Sequence, residues 1–364
     1  MAHSEFPEGV AVVYCEGCYG STYGKTAHGL VRFTRRYHVA AVMDSTLAGQ
    51  DAGVALDGES RDLPIVATLP EALEAVEQEG RCATHFVFGM APDGGELDED
   101  GRSAVLEAID AGLDVDAGLH SFLNDDEELC EAAFSAGVKL RDVRRPPARG
   151  QLHFFSGKIE QVDSLVVAIL GTDSGVGKRT TAFLLADLLV ARGITAEVIG
   201  TGQTAWMQGA RHGIILDSLV NDFVAGELEH AVWSAWDELR PDVILVEGQG
   251  SLMHPAYPGG FEILAATRPR GVVLQHAPAR RDYEGFPGYE IPTVARHISA
   301  IELLSPAPVI SISINGESLD PAAASGASAR LAEQTGLPTV DPVAQDAAPL
   351  VEAILTLRAG TPTA

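Results

Sequence analysis

The chain has 364 residues, 46% of them hydrophobic and only 6% aromatic, with a formal net charge of −26 at pH 7. That length is the default for two domains, each large enough for its own core, and the shortage of aromatics leaves those cores to Ala, Val, Leu and Ile. The lysines Lys25, Lys139, Lys158 and Lys178 stand against 51 acidic residues, a surface that repels nucleic acid and anionic membrane.

Such a composition suits a protein kept soluble at high salt, where screening weakens self-repulsion. A halophile-type cytoplasmic protein is expected, with an ordinary acidic enzyme as the alternative. Four cysteines do not make a disulfide framework. Cys15-Glu16-Gly17-Cys18 has CxxC spacing, but Cys82 and Cys130 form no second pair, so a strand-end pair of small residues is the preferred reading over a metal or redox site. No apolar run approaches the ~18 residues of a membrane span. The start of the chain has neither a basic n-region nor an apolar h-region, and no export signal is expected.

In the first half, residues 10–14 read as a buried strand and 25–34 as a helix. Residues 39–44 form a second strand ending at Asp44. A short strand at 65–68 precedes a helix at 70–79 with Pro70 at its start. A strand at 85–89 leads into an acidic loop. A helix at 102–111 is closed by Gly112, a strand follows at 114–120, and a helix at 127–136 is closed by Gly137. Strands alternating with helices imply a parallel, doubly wound sheet. Asp44 has the position of a ribose-binding acid, yet no Gly-x-Gly-x-x-Gly follows the first strand, which argues against a nicotinamide cofactor. Gly20-Ser21-Thr22-Tyr23-Gly24-Lys25-Thr26 is one residue short of a phosphate loop and reads better as a glycine-rich turn opening a helix. Residues 141–150, with Arg144-Arg145-Pro146-Pro147, break the pattern and read as an interdomain connector. His153-Phe154-Phe155 looks like an apolar anchor into the second half. Domains of 1–150 and 151–364 follow.

The second half begins with the strongest signal. The apolar strand 165–170 runs into Gly171-Thr172-Asp173-Ser174-Gly175-Val176-Gly177-Lys178-Arg179-Thr180-Thr181 and then an amphipathic segment, 182–192. Strand, glycine-rich turn, lysine and helix are the parts of a phosphate-binding loop: turn amides, a helix N-terminus and a full positive charge converge on an anion. The spacing is unusual, because five residues separate Gly171 from Gly177 and Arg179 follows the lysine where a hydroxyl is expected. Four more strands, at 196–199, 243–246, 272–274 and 309–314, also end in polar or glycine-rich residues. Ligands sit beyond such strand ends in open parallel sheets.

Glu247 follows four apolar residues, as the metal-holding acid of a Walker B strand does; a cap on the Gly-rich turn is the alternative. Asp217 and Asp222 are weaker metal candidates, with a surface-facing Asp on a helix as the equal alternative. Asp173 either contacts a nucleotide or holds the turn. His254 and His276 each lie just past a strand end, as structural residues or as base and substrate ligand. Arg280 and Arg281, with the Gly- and Pro-rich residues 282–292, read as a lid presenting cations to an anionic substrate, or as an ordered surface loop. Trp206, Met207, Trp233 and Trp236 are expected in core or interface. The tail from 306 continues strand, helix, strand (337–340) and final helix (347–357).

Two resemblances follow from these motifs. Gly171-Thr172-Asp173 through Val176-Gly177-Lys178, with Val246-Glu247-Gly248-x-Gly250, resembles dethiobiotin synthetase and its P-loop relatives, which share the five-residue gap. Arg179 departs from that pattern and leaves Thr180 as the preferred hydroxyl for a metal. Across nearly the whole chain, the loop together with Gly200-Thr201-Gly202-Gln203-Thr204-x-Trp206-Met207, Val220-Asn221-Asp222-Phe223-Val224-Ala225-Gly226 and Val246-Glu247-Gly248-Gln249-Gly250-Ser251-Leu252-x-His254-Pro255 is similar to the D-glutamate N-acetyltransferase (DgcN-like) family, formerly a domain-of-unknown-function family. That resemblance implies a Rossmann-like N-terminal domain followed by a P-loop domain, an α/β protein throughout.

It also implies acetyl transfer from acetyl-CoA to the amine of a small acidic D-amino acid, with the cofactor's phosphates on the loop around Lys178. Glu247 and His254 are then the candidate bases, and Gln203, Thr204, His276, Arg280 and Arg281 the candidate substrate contacts. The alternative is an ATP-dependent ligase or cyclase of the dethiobiotin-synthetase type, in which Mg²⁺ would be held by Thr180, Glu247 and Asp217. A third reading is a nucleotide-sensing binding protein. Expected partners are a small-molecule substrate, with no nucleic acid and no membrane; a homo-oligomer is left open.

Overall fold

The computed structural model describes residues 8–360. The first seven residues, where no export signal is expected, and the last four of the second domain lie outside the described residues. The chain divides into two compact units: Met1–Pro146 with Gln203–Gly209, and Pro147–Gly202 with Ala210–Ala364.

The first unit alternates strands and helices: β1 (Gly9–Tyr14), α1 (Lys25–Arg32), β2 (Tyr37–Met43), α2 (Ala52–Asp57), β3 (Ile65–Val66), α3 (Leu69–Gln78), β4 (His85–Phe88), α4 (Glu99–Asp110), β5 (Asp114–Ala117), α5 (Glu127–Ala136) and β6 (Leu140–Asp142). The sheet order is β3-β2-β1-β4-β5-β6, and every pairing is parallel. This is the dinucleotide-fold order, reversing between β1 and β4. Local chemistry sets the helix ends. Thr68 and Glu71 close a reciprocal capping box on α3, and Asp126 caps α5, which stops at Gly137 in the left-handed region (φ 73°). Residues 141 and 142, read as the start of the connector, correct the sequence reading. With Leu140 they form the sixth strand, and Asp142 there accepts from Leu123 N at 2.6 Å and Arg145 Nε at 3.2 Å.

The second unit holds β7 (Leu165–Gly171), α6 (Lys178–Ala191), β8 (Ala196–Gly200), β9 (His212–Gly213), α8 (Asn221–Leu239), β10 (Val243–Glu247), α9 (Phe261–Thr267), β11 (Gly271–His276), α10 (Val294–Leu304), β12 (Val309–Ile314), α11 (Pro321–Thr335), β13 (Thr339–Val340) and α12 (Ala348–Ala359); α7 (Gln203–Met207), between β8 and β9, belongs to the first unit. The order is β13-β12-β11-β7-β10-β8-β9, again parallel throughout. Central strands covered on both faces need continuous apolar runs, and all residues of β7 and β10 are buried.

α7 is tied to the first unit by specific bonds. Thr204 Oγ1 lies 3.1 Å from Thr26 Oγ1, Gln208 Nε2 donates to Gly29 O and Phe33 O at 2.7 Å each, and the Arg36 guanidinium lies 3.7 Å over the Trp206 ring. The expected apolar anchor at 153–155 is apolar only in part, through the Phe154 ring 4.7 Å from that of Phe223. Phe154 and Phe155 are exposed, whereas His153 N bonds Glu227 and the buried Glu229 carboxylate captures Ser156 N, Ser156 Oγ and Ile159 N.

Candidate functional site

The loop between β7 and α6 is built around its lysine. Thr172 N donates to Gln275 O at 3.0 Å, extending the β7–β11 pairing, and Gly175 (φ 64°) and Gly177 (φ 107°) then turn the backbone. Side chains rarely adopt these angles. Gly177 is the N-cap of α6 and supplies no side-chain cap, so the first amides of the helix keep their capacity for an anion. The Lys178 stem passes between two glycines: a Cβ on Gly171 would stand 2.9 Å from Lys178 Cδ, and one on Gly248 3.1 Å from it. Lys178 Nζ donates to Asp173 O at 2.7 Å and Gly250 O at 2.9 Å. Burial lowers its pKa to about 8, against the opposing charges of Glu247 and Asp173. Uncapped amides, left-handed glycines and a lysine folded onto carbonyls fit a phosphate anion, which would give the ammonium a charged partner in place of two neutral ones.

Asp173 is the hub of the loop. Its fully buried carboxylate accepts from Ser174 N at 2.6 Å, Arg280 Nη1 at 2.9 Å and Glu284 N at 3.1 Å. His254 Nε2 lies 3.3 Å from Asp173 Oδ1, at ion-pair distance but outside hydrogen-bond geometry. His254 Nδ1 accepts from Ala256 N at 3.1 Å and Tyr257 N at 2.9 Å, which leaves the proton of the neutral ring on Nε2. The ring packs among Tyr257, Tyr283 and Phe286, and burial lowers its pKa.

Arg280 is also committed inward. Besides Asp173, it bonds Ser174 O at 2.8 Å, Glu284 at 3.2 Å and Glu317. Burial works against its charge, but Glu317 and Asp173 outweigh that and raise its pKa. The segment after it forms a tight hairpin: Asp282 bridges Glu290, Tyr283 N donates to Tyr289 O, and Tyr283 Oη donates to Met253 O at 2.8 Å. Arg281 points to solvent and pairs with Glu290.

On the β10 side, Glu247 is buried, and Glu247 Oε2 accepts from Thr201 N at 2.9 Å. Burial raises its pKa, opposed by Arg179, the Thr201 N–H and Lys178. Gln249 Nε2 donates to Thr201 Oγ1 at 3.0 Å. On the β11 side, Thr181 Oγ1 donates to Gln275 Oε1 at 2.6 Å and lies 3.2 Å from Ser313 Oγ. This engages Thr181 with the sheet and leaves the half-buried Thr180 as the hydroxyl at the loop. His276 Nδ1 lies 2.9 Å from Thr172 Oγ1, and burial lowers its pKa to about 4, with His297 adding to the effect.

Of the other sequence candidates, Gln203 and Thr204 sit in the first unit, Gln203 against Gly118 and Thr204 on Thr26. Asp217 is exposed in a 3-10 turn, Leu216–Ser218, ahead of α8. Among the described residues, no three His, Cys, Asp or Glu side chains gather to hold a metal ion. A Mg²⁺ held largely by substrate phosphates needs only one or two protein ligands, for which Glu247 and Thr180 have the right chemistry. The Gly20–Thr26 stretch opens α1 through a 3-10 turn, Thr22–Gly24, capped by Ser21. Cys15 is buried and free, its thiol pushed up by burial. Sequence reasoning missed Gln275, Glu284 and Glu317. Gln275 carried a weak signal as the polar end of an apolar strand; the two acids carried none.

A Rossmann-like domain followed by a P-loop domain is the class that this fold and loop define. Residues 45–146 match the family described as a domain of unknown function (DUF1611_N), Rossmann-like domain, and residues 153–351 match the domain of unknown function (DUF1611_C), P-loop domain. The chain belongs to this DUF1611 family, as the motif resemblance implied. It is similar to a D-glutamate N-acetyltransferase of Tritonibacter scottomollicae, 31% identical over 278 residues, covering 75% of this chain and 81% of the relative. A D-glutamate N-acetyltransferase of Pseudoalteromonas sp. is 32% identical over 268 residues, covering 72% of this chain and 78% of the relative. The crystal structure of a DUF1611 family protein from Anabaena variabilis matches with a TM-score of 0.88 at 30% identity, covering 96% of this chain and 99% of that one. Among the described residues, no helix is long and apolar enough to cross a membrane.

Proposed function

We propose that the chain is a cytoplasmic N-acetyltransferase that moves the acetyl group of acetyl-CoA to the amine of a small acidic D-amino acid of the D-glutamate type. The observation that carries this reading is the pair of relatives named for that activity, each more than 30% identical over about three quarters of the chain. The loop supports it chemically. The amides of 175–180 and Lys178 suit the phosphates of coenzyme A.

In the reaction, the amine nitrogen bonds the acetyl carbon, the thioester C–S bond breaks, and the thiolate takes up a proton. The amine must first lose its own proton to a base. Glu247 suits that role better than His254: its raised pKa makes it a stronger base than an ordinary carboxylate. His254 has its Nδ1 committed to two backbone N–H groups and its Nε2 facing Asp173.

A second reading, ATP- and Mg²⁺-dependent ligation, is favoured by one observation, the buried acid Glu247 ending the strand beside the loop. Calorimetry with acetyl-CoA and with Mg·ATP on one sample at high salt, followed by assays of D-glutamate with each, separates the two. Acetylated product is the expected result. Mg·ATP binding with phosphate release and no acetylated product sinks the acetyltransferase reading, and binding without turnover of any amino acid favours a sensor.

A further inference from the structure

A cleft of about 450 Å³ opens in the second unit beside the loop, within the ~300–1,000 Å³ span of small-molecule sites. Its rim runs from His276, at the carboxyl end of β11, to the first turn of α10 and the last turn of α11. Two of its side chains belong equally to the loop. Arg280 bonds Asp173 and Ser174 and reaches Gly175 O with Nη2 at 3.5 Å, and His276 contacts Thr172. Arg280 Nη2 has no other bond, so one of its N–H groups remains available at this border.

The cleft differs chemically from the surface around it. The chain carries 51 acidic residues, yet none lines the cleft. Ile291, Pro292, Val294 and Leu331 form apolar wall, and Gln334 offers an amide. His276 is uncharged near neutral pH. An anion site thus borders a nearly neutral, half-apolar recess.

The two sides of the loop divide the work. Toward β10 lies Glu247, the group able to move a proton, with Thr201 N bonded to its carboxylate and Gln249 bonded to Thr201. Toward β11 lies the cleft, with no carboxylate in its wall. The reacting end of a ligand that spans the loop belongs with Glu247 and its inert end with the cleft. We propose that this cleft takes the nucleoside end, a purine with its ribose, of the cofactor whose phosphates occupy the loop. The proposal rests on the phosphate-binding part of the function above and not on acetyl transfer, because acetyl-CoA and ATP share their adenosine.

The test uses calorimetry on the intact chain with pyrophosphate, ADP and coenzyme A. Ala295→Trp fills the cleft from α10 and Gln334→Trp from α11; both positions are exposed, and a thermal melt matching the parent protein shows that each variant folds. Each variant should weaken ADP and coenzyme A at least ~10-fold while leaving pyrophosphate within about twofold. ADP and coenzyme A binding unchanged in both variants overturns the proposal, as does an equal loss for pyrophosphate. Lys178→Ala is the separate control. Loss of all three ligands supports the loop as the phosphate site, and pyrophosphate affinity unchanged by Lys178→Ala sinks that reading independently of the cleft result.

Discussion

Replacing Lys178 by methionine removes a charge that the free protein holds at a cost. Burial lowers the pKa of Lys178 from its ordinary 10.5 to about 8, a gap worth roughly 3 kcal/mol at ~1.36 kcal/mol per tenfold. Below pH 8 the lysine is charged in both folded and unfolded chains, and the folded state carries the full cost. Between 8 and 10.5 the unfolded chain binds more protons than the folded one, so stability rises with pH. Above 10.5 both are neutral and the cost is gone. The methionine variant has no such dependence. Its stability at pH 7 reflects relief of that cost, less about 1 kcal/mol for each of the two hydrogen bonds lost to Asp173 O and Gly250 O. We therefore expect Lys178→Met to be as stable as the parent or about 1 kcal/mol more stable at pH 7, while losing pyrophosphate binding. Urea melts of both proteins from pH 7 to 10.5 at fixed salt provide the assay. The parent should gain roughly 3 kcal/mol on the variant between pH 8 and 10.5. A difference that stays flat across that window refutes the reasoning.

Other substitutions probe the same site. Gly177→Ala forces a Cβ onto a φ of 107° and should destabilise by about 1–3 kcal/mol while weakening pyrophosphate binding; unchanged calorimetry and melts would count against the loop geometry. Asp173→Asn breaks the buried pair with Arg280 and should lower stability by about 3–5 kcal/mol in a denaturant melt; a loss below 1 kcal/mol would show that the hub is dispensable. Glu284→Gln removes a carboxylate so close to the loop that a Cβ on Gly175 would stand 2.5 Å from Glu284 Oε2. Pyrophosphate should bind tighter by about 1 kcal/mol at low salt, the gain fading as salt rises, and a weaker affinity would refute this. With a net charge of −26, added KCl should raise the melting temperature by screening self-repulsion; a melting temperature that falls with salt contradicts that account.

Much of the fold could be read locally. The run from β7 through Gly177 into α6 is legible because an apolar stretch, a glycine turn and a lysine are neighbours in sequence. The caps at Thr68, Asp126 and Gly137 work within a few residues of themselves. Glu247 stood out because Val243–Val246 ahead of it are apolar without interruption, as a strand buried on both faces must be. β6 was hidden because Leu140–Asp142 is three residues long and runs straight into arginines and prolines; only pairing with β5 makes it a strand.

Tertiary structure decided which charges cancel which. Arg280 read as a free cation for substrate, but Asp173 and Glu317, 107 and 37 residues away, take its Nη1 and Nε. His254 read as a base, but the N–H groups of Ala256 and Tyr257 occupy its Nδ1 and Asp173 faces its Nε2. Gln203 and Thr204 read as substrate contacts following β8 in sequence, and α7 packs into the first unit through Thr26 and Gly29. The sequence by itself determined where the glycine-rich loop between β7 and α6 begins and ends, because turn geometry and helix starts depend on adjacent residues. The pairing of charges and the allegiance of α7 depend on burial and on contacts between distant residues, and folding alone brings those together.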